Sequence, residues 1–397
     1  MADEKVVPLN AWKAQLQKGD RGVRRSLSNL ILYLRHLPGL GRDLRFNELS
    51  YQTEWRGRPI EDADLIDIRL LLEGEGFSPP DKDVRAAVDR VAREHSYNPI
   101  GEYLNRLSWD GAPRLAHWMI RLLGAPDTDF VRLISPKAMI SAVARALDPG
   151  CKVDTVLVIE GPQGIKKSTA IATLFGEEYT AESVSLFEQH NKMVMAMMGA
   201  WVVELAEFVA IARSHHASVK GLLSMRRDKV VLPYAKMAST HPRRCVFFGT
   251  INPDETGYLT DSTGNRRYWP VSVARADIEG IRNDRDQLWA EAVHRYRAGE
   301  RWWLEPAEEA LAQAVQSQRE EEDAWAEPLR NKLQTEAENG RSYAEITMDQ
   351  ALTFLGIPHE RKDKRSQMRA ASALKSIGFE RVSEWRSGKT YRCWRRP

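Results

Sequence analysis

The residues Glu160-Gly161-Pro162-Gln163-Gly164-Ile165-Lys166-Lys167-Ser168-Thr169 combine two glycines, a lysine pair and two hydroxyls. They follow the apolar, β-branched run TVLVIE (155–160), which reads as a buried strand, and they open a helical stretch, STAIATLFG. A glycine-rich turn between a strand and a helix N-terminus suits phosphate. Backbone N–H groups wrap the oxygens, and the helix end adds donors and a favourable dipole. On that reading Gly161 to Thr169 cradle a nucleotide, Lys167 reaches its β and γ phosphates, and the Ser168 hydroxyl holds Mg²⁺. The usual spacing, GxxxxGK[ST], has glycine directly before the lysine, where this chain has Lys166. Glycine there allows close approach and unusual backbone angles. The competing reading is a basic Gly/Pro turn before a helix.

Acidic residues at the end of a buried strand are what a Mg²⁺-nucleotide site needs beside such a loop. The strand-like WVVELAEF supplies Glu204, placed to bind the metal or its water, and Glu207, placed to polarise an attacking water. A third apolar run, CVFFGTIN, ends in Thr250 and Asn252, where a polar side chain can lie between acid and γ-phosphate. Next comes DSTGNRRYWPV. Arg266 and Arg267 on a stiff turn suit stabilisation of charge on a transferring phosphoryl group, often across a subunit boundary. Singly, each segment reads equally as a solvated helix start, an ordinary strand end or a charged hairpin tip. Their order is the stronger signal.

These residues need a parallel sheet to hold them. Helical stretches separate TVLVIE, AWVVEL (200–205) and RCVFFGTI (244–251), which predicts βαβ alternation and a mainly parallel sheet. In front lies a small mixed α/β unit (1–95), with an amphipathic helix over SLSNLILYLRHL, a strand pair in DLRFNELSYQTEWRGRPI and two further helices. The core is expected over 96–305 with a helical lead-in to 150. An acidic helical connector follows over 306–327, and a basic winged-helix-like domain over 328–397. At 397 residues, two or three folding units are expected.

The net charge of +3 excludes little, but its distribution is uneven. Twelve Lys or Arg face three acids between Arg361 and Arg396, a local charge of +9. Helices over TMDQALTFLG and RSQMRAASALKSIG and a hairpin turning at Ser387-Gly388 give the order of a winged helix-turn-helix. Arg365, Arg369, Lys375, Arg386 and Lys389 are its candidate DNA contacts. The competing reading is a small α+β module with a solvated basic face. The three cysteines lie far apart, which argues against a disulfide framework or a CxxC zinc site. No apolar run is long enough to span a membrane and no leader pattern opens the chain, so a cytoplasmic location is expected.

Together NPIGEYLNRLSWDG, EGPQGIKKST, WVVELAEF, SVKGLLSMRRDKVVLPYAK, FFGTINPDETGYLTDSTGNRRYWPV and RDQLWAEAVHRYRAGERWWL resemble the virulence-associated protein E family over roughly 97–305. Its members are P-loop ATPases of phages and genomic islands, related to the superfamily-three helicases. The resemblance implies a P-loop, AAA+-like ATPase core with a parallel sheet, a Walker A segment at Gly161 to Thr169 and a Walker B acid at Glu204 with Glu207. It also implies a sensor at Asn252 and an arginine finger among Arg266 and Arg267. A homo-oligomeric ring on DNA is implied, with the segment between Walker B and sensor facing the channel. Here that segment holds Lys220, Arg226, Arg227, Lys229 and Lys236, cations able to track phosphates without reading sequence.

The expected activity is ATP- and Mg²⁺-dependent helicase or translocase action in replication of a phage or mobile element. The DNA is single-stranded, forked, or an origin duplex, and any primase belongs to a separate chain. The reading from another class is a non-motor DNA-binding assembly or regulatory protein with a degenerate nucleotide loop. A small-molecule kinase has no need of the Asn strand, the Arg turn and the basic tail together.

Overall fold

The computed structural model describes residues 11–20, 22–182, 184, 189–206, 216–232, 237–252, 259, 265–319, 325–386 and 389–396, with backbone alone at 216–218, 365, 386 and 389. The chain divides into two units. One comprises residues 1–254 with 264–315, and the other 255–263 with 316–397.

In the first unit, short paired strands β1 (Lys18–Gly19) and β2 (Gly22–Val23) precede a helix, Leu27–His36. Ser26 caps that helix by accepting from Asn29 N. A four-stranded sheet follows, built from β3 (Leu44–Asn47), β4 (Gln52–Trp55), β5 (Arg58–Pro59) and β6 (Ser96–Tyr97) in the order β5-β4-β3-β6. Helices Asp62–Gly74 and Asp81–Ala92 lie between β5 and β6 in the chain. Trp12, Tyr33, Leu34, Trp55, Ile68 and Phe77 are among the residues of a core that belongs to this region.

The central sheet has five strands: β7 (Val156–Glu160), β8 (Thr180–Ala181), β9 (Val202–Leu205), β12 (Val246–Ile251) and β13 (Tyr268–Ser272). They are all parallel, in the order β13-β7-β12-β9-β8. Every residue of β7, β9 and β12 is buried, which is why these segments read as continuous apolar runs. Helices Asp129–Leu147, Lys167–Phe175 and Ile278–Arg297 contribute to one large core around the sheet. Its aromatic centre is Phe175, Trp201, Phe248 and Trp289, with Trp201 and Trp289 rings 4.2 Å apart. Both indole N–H groups are satisfied, Trp201 by Ala142 O at 2.9 Å and Trp289 by Leu174 O at 2.8 Å.

The strand β13 is the one that the sequence pattern hid. Pro270 sits in its middle, opposite Val158 of β7. Proline cannot donate to a ladder, and β13 occupies the sheet edge, where the missing donor is tolerated.

Between β9 and β12 the chain forms a helix, His216–Ser224, and an antiparallel pair, β10 (Arg227–Val230) with β11 (Ser239–Pro242). A buried ion pair fixes the base of this pair, with Arg243 Nε and Nη2 on Asp228 Oδ2 and Oδ1 at 3.0 and 2.5 Å. The turn joining β3 to β4 braces the same base. Glu48 pairs with Arg244 at 2.9 Å, the Tyr51 hydroxyl donates to Pro242 O at 3.2 Å, and the Tyr51 ring lies 4.1 Å from that of His241. Leu49 enters the large core, and its carbonyl accepts from Gly199 N at 3.1 Å.

The stretch 306–327 is helical over Pro306–Ser317. The second unit then runs through helix Ala326–Glu338, strand β14 (Glu345–Ile346), helices Met348–Phe354 and Lys364–Ser376, and strands β15 (Glu380–Arg386) and β16 (Lys389–Arg395). Its strands form an antiparallel sheet ordered β14-β16-β15. A small core gathers Ala326, Leu329, Ile346, Leu374 and Phe379. Thr347 with Gln350 forms a capping box, and Asp363 caps the last helix by accepting from Ser366 N at 2.7 Å.

Candidate functional site

Three parallel strands end at one edge of the sheet, and their last residues meet the loop after β7. This edge is where an open α/β sheet binds ligands. The loop leaves Glu160 and enters the helix at Lys167, which puts the helix N-terminus at the sheet edge. Gly161 lies so close to its surroundings that a Cβ would stand 2.6 Å from Ile165 Cδ1 and 2.7 Å from Val273 O. Gly164 has φ +87°. Lys166, the residue standing in for the usual glycine, is in the left-handed region at φ +66°, ψ 39°. The loop therefore keeps the backbone shape that glycine normally supplies, carried by a lysine.

The side chains form a closed polar set. Lys167 Nζ donates to Gly161 O at 2.6 Å, Pro162 O at 3.0 Å and Asn252 Oδ1 at 3.1 Å, so each of its three N–H groups has an acceptor. Partial burial holds its pKa below the usual lysine value, with the nearby Glu204 charge acting in the opposite sense. Glu204 is 2% exposed, and its Oε1 accepts from both Ser168 Oγ at 2.7 Å and Thr250 Oγ1 at 2.8 Å. Strand order explains the meeting, because β12 lies between β7 and β9. Thr250 lies two residues beyond Phe248, the partner of Glu204 in the ladder. Thus Lys167, Ser168, Glu204, Thr250 and Asn252 come together at one edge. Pro162, Gln163, Ser168 and Thr169 are exposed, and Ile165 packs against the large core.

One carboxylate here escaped the sequence reading. Glu160 ends β7, is buried, and accepts from Ser272 Oγ at 2.8 Å. Its signal was visible as an acid closing an otherwise apolar strand. Glu207 and Lys236 lie outside the described residues.

Arg266 and Arg267 sit elsewhere. Tyr268 pairs with Val156 and Ser272 with Glu160, so the arginines precede the start of β13, at the sheet end away from the loop. A five-residue strand spans roughly 16 Å. Arg266 is exposed, while Arg267 lies 4.0 Å from Asp154 and 3.4 Å from Ser224 Oγ. Lys220 is near enough to Arg267 that burial and this like charge both lower its pKa.

On β10, Arg227 and Lys229 are exposed, while Asp228 and Val230 between them are buried. Alternation along the strand thus displays both cations on one side. Arg226 is tied to the core through Gly150 O at 2.6 Å. In the second unit, Arg369 stacks on Trp325 at 4.5 Å and Lys375 is exposed, whereas the side chains of Arg365, Arg386 and Lys389 lie outside the described set. Among the described residues, no three His, Cys, Asp or Glu converge as metal ligands, and no helix is long and apolar enough to cross a membrane.

No curated protein matches the chain. Among solved structures, one of the apo NrS-1 C-terminal region (305–718) is similar at 13% identity, with TM-score 0.49, covering 89% of this chain and 96% of that one. Its A form gives 12% identity and TM-score 0.47 with the same coverage. An inhibitor-bound JCV helicase gives 14% identity and TM-score 0.27, covering 66% of this chain and 80% of that one. The family model described as the virulence-associated protein E-like domain matches residues 104–321, more than half of the chain, and it spans the loop, Glu204, Asn252 and the arginine turn. The chain belongs to the virulence-associated protein E-like family.

Proposed function

We propose that this protein is an ATP- and Mg²⁺-dependent DNA helicase or translocase acting in the replication of a phage or other mobile element. The observation that carries this reading is the convergence of Lys167, Ser168, Glu204, Thr250 and Asn252 at the end of a parallel sheet. A lysine, a hydroxyl and a buried carboxylate at a helix N-terminus match the needs of a nucleotide triphosphate and its divalent ion. The loop 161–166 and the first turn of the following helix would hold the phosphates with their N–H groups. Lys167 would exchange Gly161 O and Pro162 O for the β and γ phosphates. Ser168 and Glu204 would hold Mg²⁺, a hard cation that takes oxygen ligands and commonly only one or two carboxylates. The ion would neutralise charge on the β and γ oxygens. Asn252, already on the Lys167 ammonium, would orient the water, and Glu207 would polarise it.

Arg266 and Arg267 would serve the site of a neighbouring subunit in a homo-oligomeric ring. The exposed Arg227 and Lys229, with Lys220, Arg226 and Lys236, would follow DNA phosphates in the channel. In the second unit, the order helix, strand, helix, helix, strand, strand supports a winged-helix reading, and the charge of +9 carried by residues 361–396 supports DNA contact by that stretch. Primer synthesis would fall to a separate chain.

The test is steady-state ATP hydrolysis with and without single-stranded DNA. Hydrolysis stimulated by DNA and abolished in Lys167→Ala and Glu207→Gln is the expected result. Intact DNA binding with no hydrolysis above the Lys167→Ala background would replace the motor by an assembly protein whose nucleotide site does not turn over.

A further inference from the structure

The β15–β16 hairpin sorts its charges by side. The register pairs Arg381 with Trp394, Ser383 with Arg392 and Trp385 with Thr390 on one side. On the other it pairs Glu380 with Arg395, Val382 with Cys393 and Glu384 with Tyr391. Both acids of the hairpin are therefore on the second side, where Arg395 neutralises Glu384 at 2.7 Å and also holds Glu345 at 2.5 Å. The first side carries no acid. Its Arg381 and Arg392 are exposed and make no ion pair among the described residues.

The same side changes character along its length. At its base Trp394 pairs with Ile346 and packs against the small core. Toward the turn, Trp385 is 74% exposed and touches no other ring among the described residues. An indole has a large flat apolar face, and leaving it in water forgoes the gain of burying it. The complementary ligand is both polyanionic and flat. Nucleic acid meets that description where a base face is uncovered, which excludes the interior of a duplex and selects single strands and frayed ends.

We infer that this side of the hairpin is a stacking surface for an unpaired base, with Trp385 against the base and Arg381 and Arg392 on the flanking phosphates. It rests on the proposed DNA binding of the second unit and narrows that binding to unpaired DNA. A protein partner is the other occupant such a surface could take.

Anisotropy of fluorescein-labelled oligo-dT, measured on the full chain without nucleotide, tests the surface. An Arg227→Ala, Lys229→Ala, Lys236→Ala background lowers the contribution of the β10–β11 hairpin to the signal. Trp385→Ala weakens oligo-dT binding about tenfold with the salt slope unchanged, and Trp385→Phe restores most of the loss. A blunt duplex changes by less than about twofold. Arg392→Ala instead lowers the slope of log K against log salt by about 0.7, the share of one phosphate on a single strand. Because Trp385 is exposed, the thermal melt of Trp385→Ala should match its parent. Unchanged oligo-dT binding by Trp385→Ala, with the steep salt dependence retained, overturns the stacking surface and leaves DNA binding standing. Equal losses on oligo-dT and duplex overturn it too. Unchanged binding accompanied by lost self-association in sedimentation assigns the face to a protein. Absence of salt-dependent binding in the background protein removes the DNA reading of the second unit itself.

Discussion

Lys166 holds a backbone conformation that costs an L-residue about 1–2 kcal/mol. Glycine would remove that strain but would add about 0.4–1 kcal/mol of unfolded-state freedom. The net prediction is that Lys166→Gly stabilises the protein by about 0.5–1 kcal/mol, read as a higher denaturant midpoint with an unchanged slope. Lys166→Ala keeps the strain and should bring no such gain. An unmoved midpoint in the glycine variant would mean that the lysine side chain offsets its own backbone. Gly161 answers to a different demand. Its constraint is the closeness of Ile165 and Val273 O, so substitution there collides with neighbours at any backbone angle. The two ends of the loop are thus specified by different physics, one by conformation and one by space.

At the level of elements, the β10–β11 pair depends on the Asp228–Arg243 ion pair, whose side chains are 7% and 1% exposed. Removing one partner leaves a buried charge uncompensated, so Asp228→Ala should destabilise by roughly 3–5 kcal/mol. Replacing both, as in Asp228→Leu with Arg243→Met, should recover most of the loss. A double-mutant cycle by chemical denaturation measures this, and additive losses would show that the two residues act separately. Sequence pattern was sufficient for β7, β9 and β12, because full burial writes itself as unbroken apolar runs. It was sufficient for the loop, because Gly161, Lys167 and Ser168 are local in the chain. It failed at β13, where Pro270 breaks the strand signature and only the edge position rescues it. It failed also at the brace, since Tyr51 and Pro242 are 191 residues apart and nothing local marks their meeting. Thr250 and Glu204 lie between these cases. Each was a plausible strand-end polar group, but the donation of Thr250 and Ser168 to the same oxygen of Glu204 follows from strand order.

Across the whole molecule, the decisive distance is that between the loop after β7 and the turn before β13. They lie at opposite ends of neighbouring strands, so one chain cannot present Arg266 or Arg267 to its own Lys167. On the proposed reading, hydrolysis should therefore rise more steeply than linearly with protein concentration. Mixing Lys167→Ala with an Arg266→Ala, Arg267→Ala variant should restore hydrolysis that neither shows alone. A mixture as inactive as its components would remove the arginines from the reaction. Strand β12 has a further consequence. Only residues 243–245 separate it from β11, while its far end delivers Thr250 and Asn252 to Glu204 and Lys167. All its residues are buried, so displacement at one end is resisted along the whole strand. On the proposed reading, ligands at the two ends of β12 are thermodynamically linked. Whatever factor ATP imposes on affinity for DNA at Arg227 and Lys229, DNA must impose the same factor on affinity for ATP.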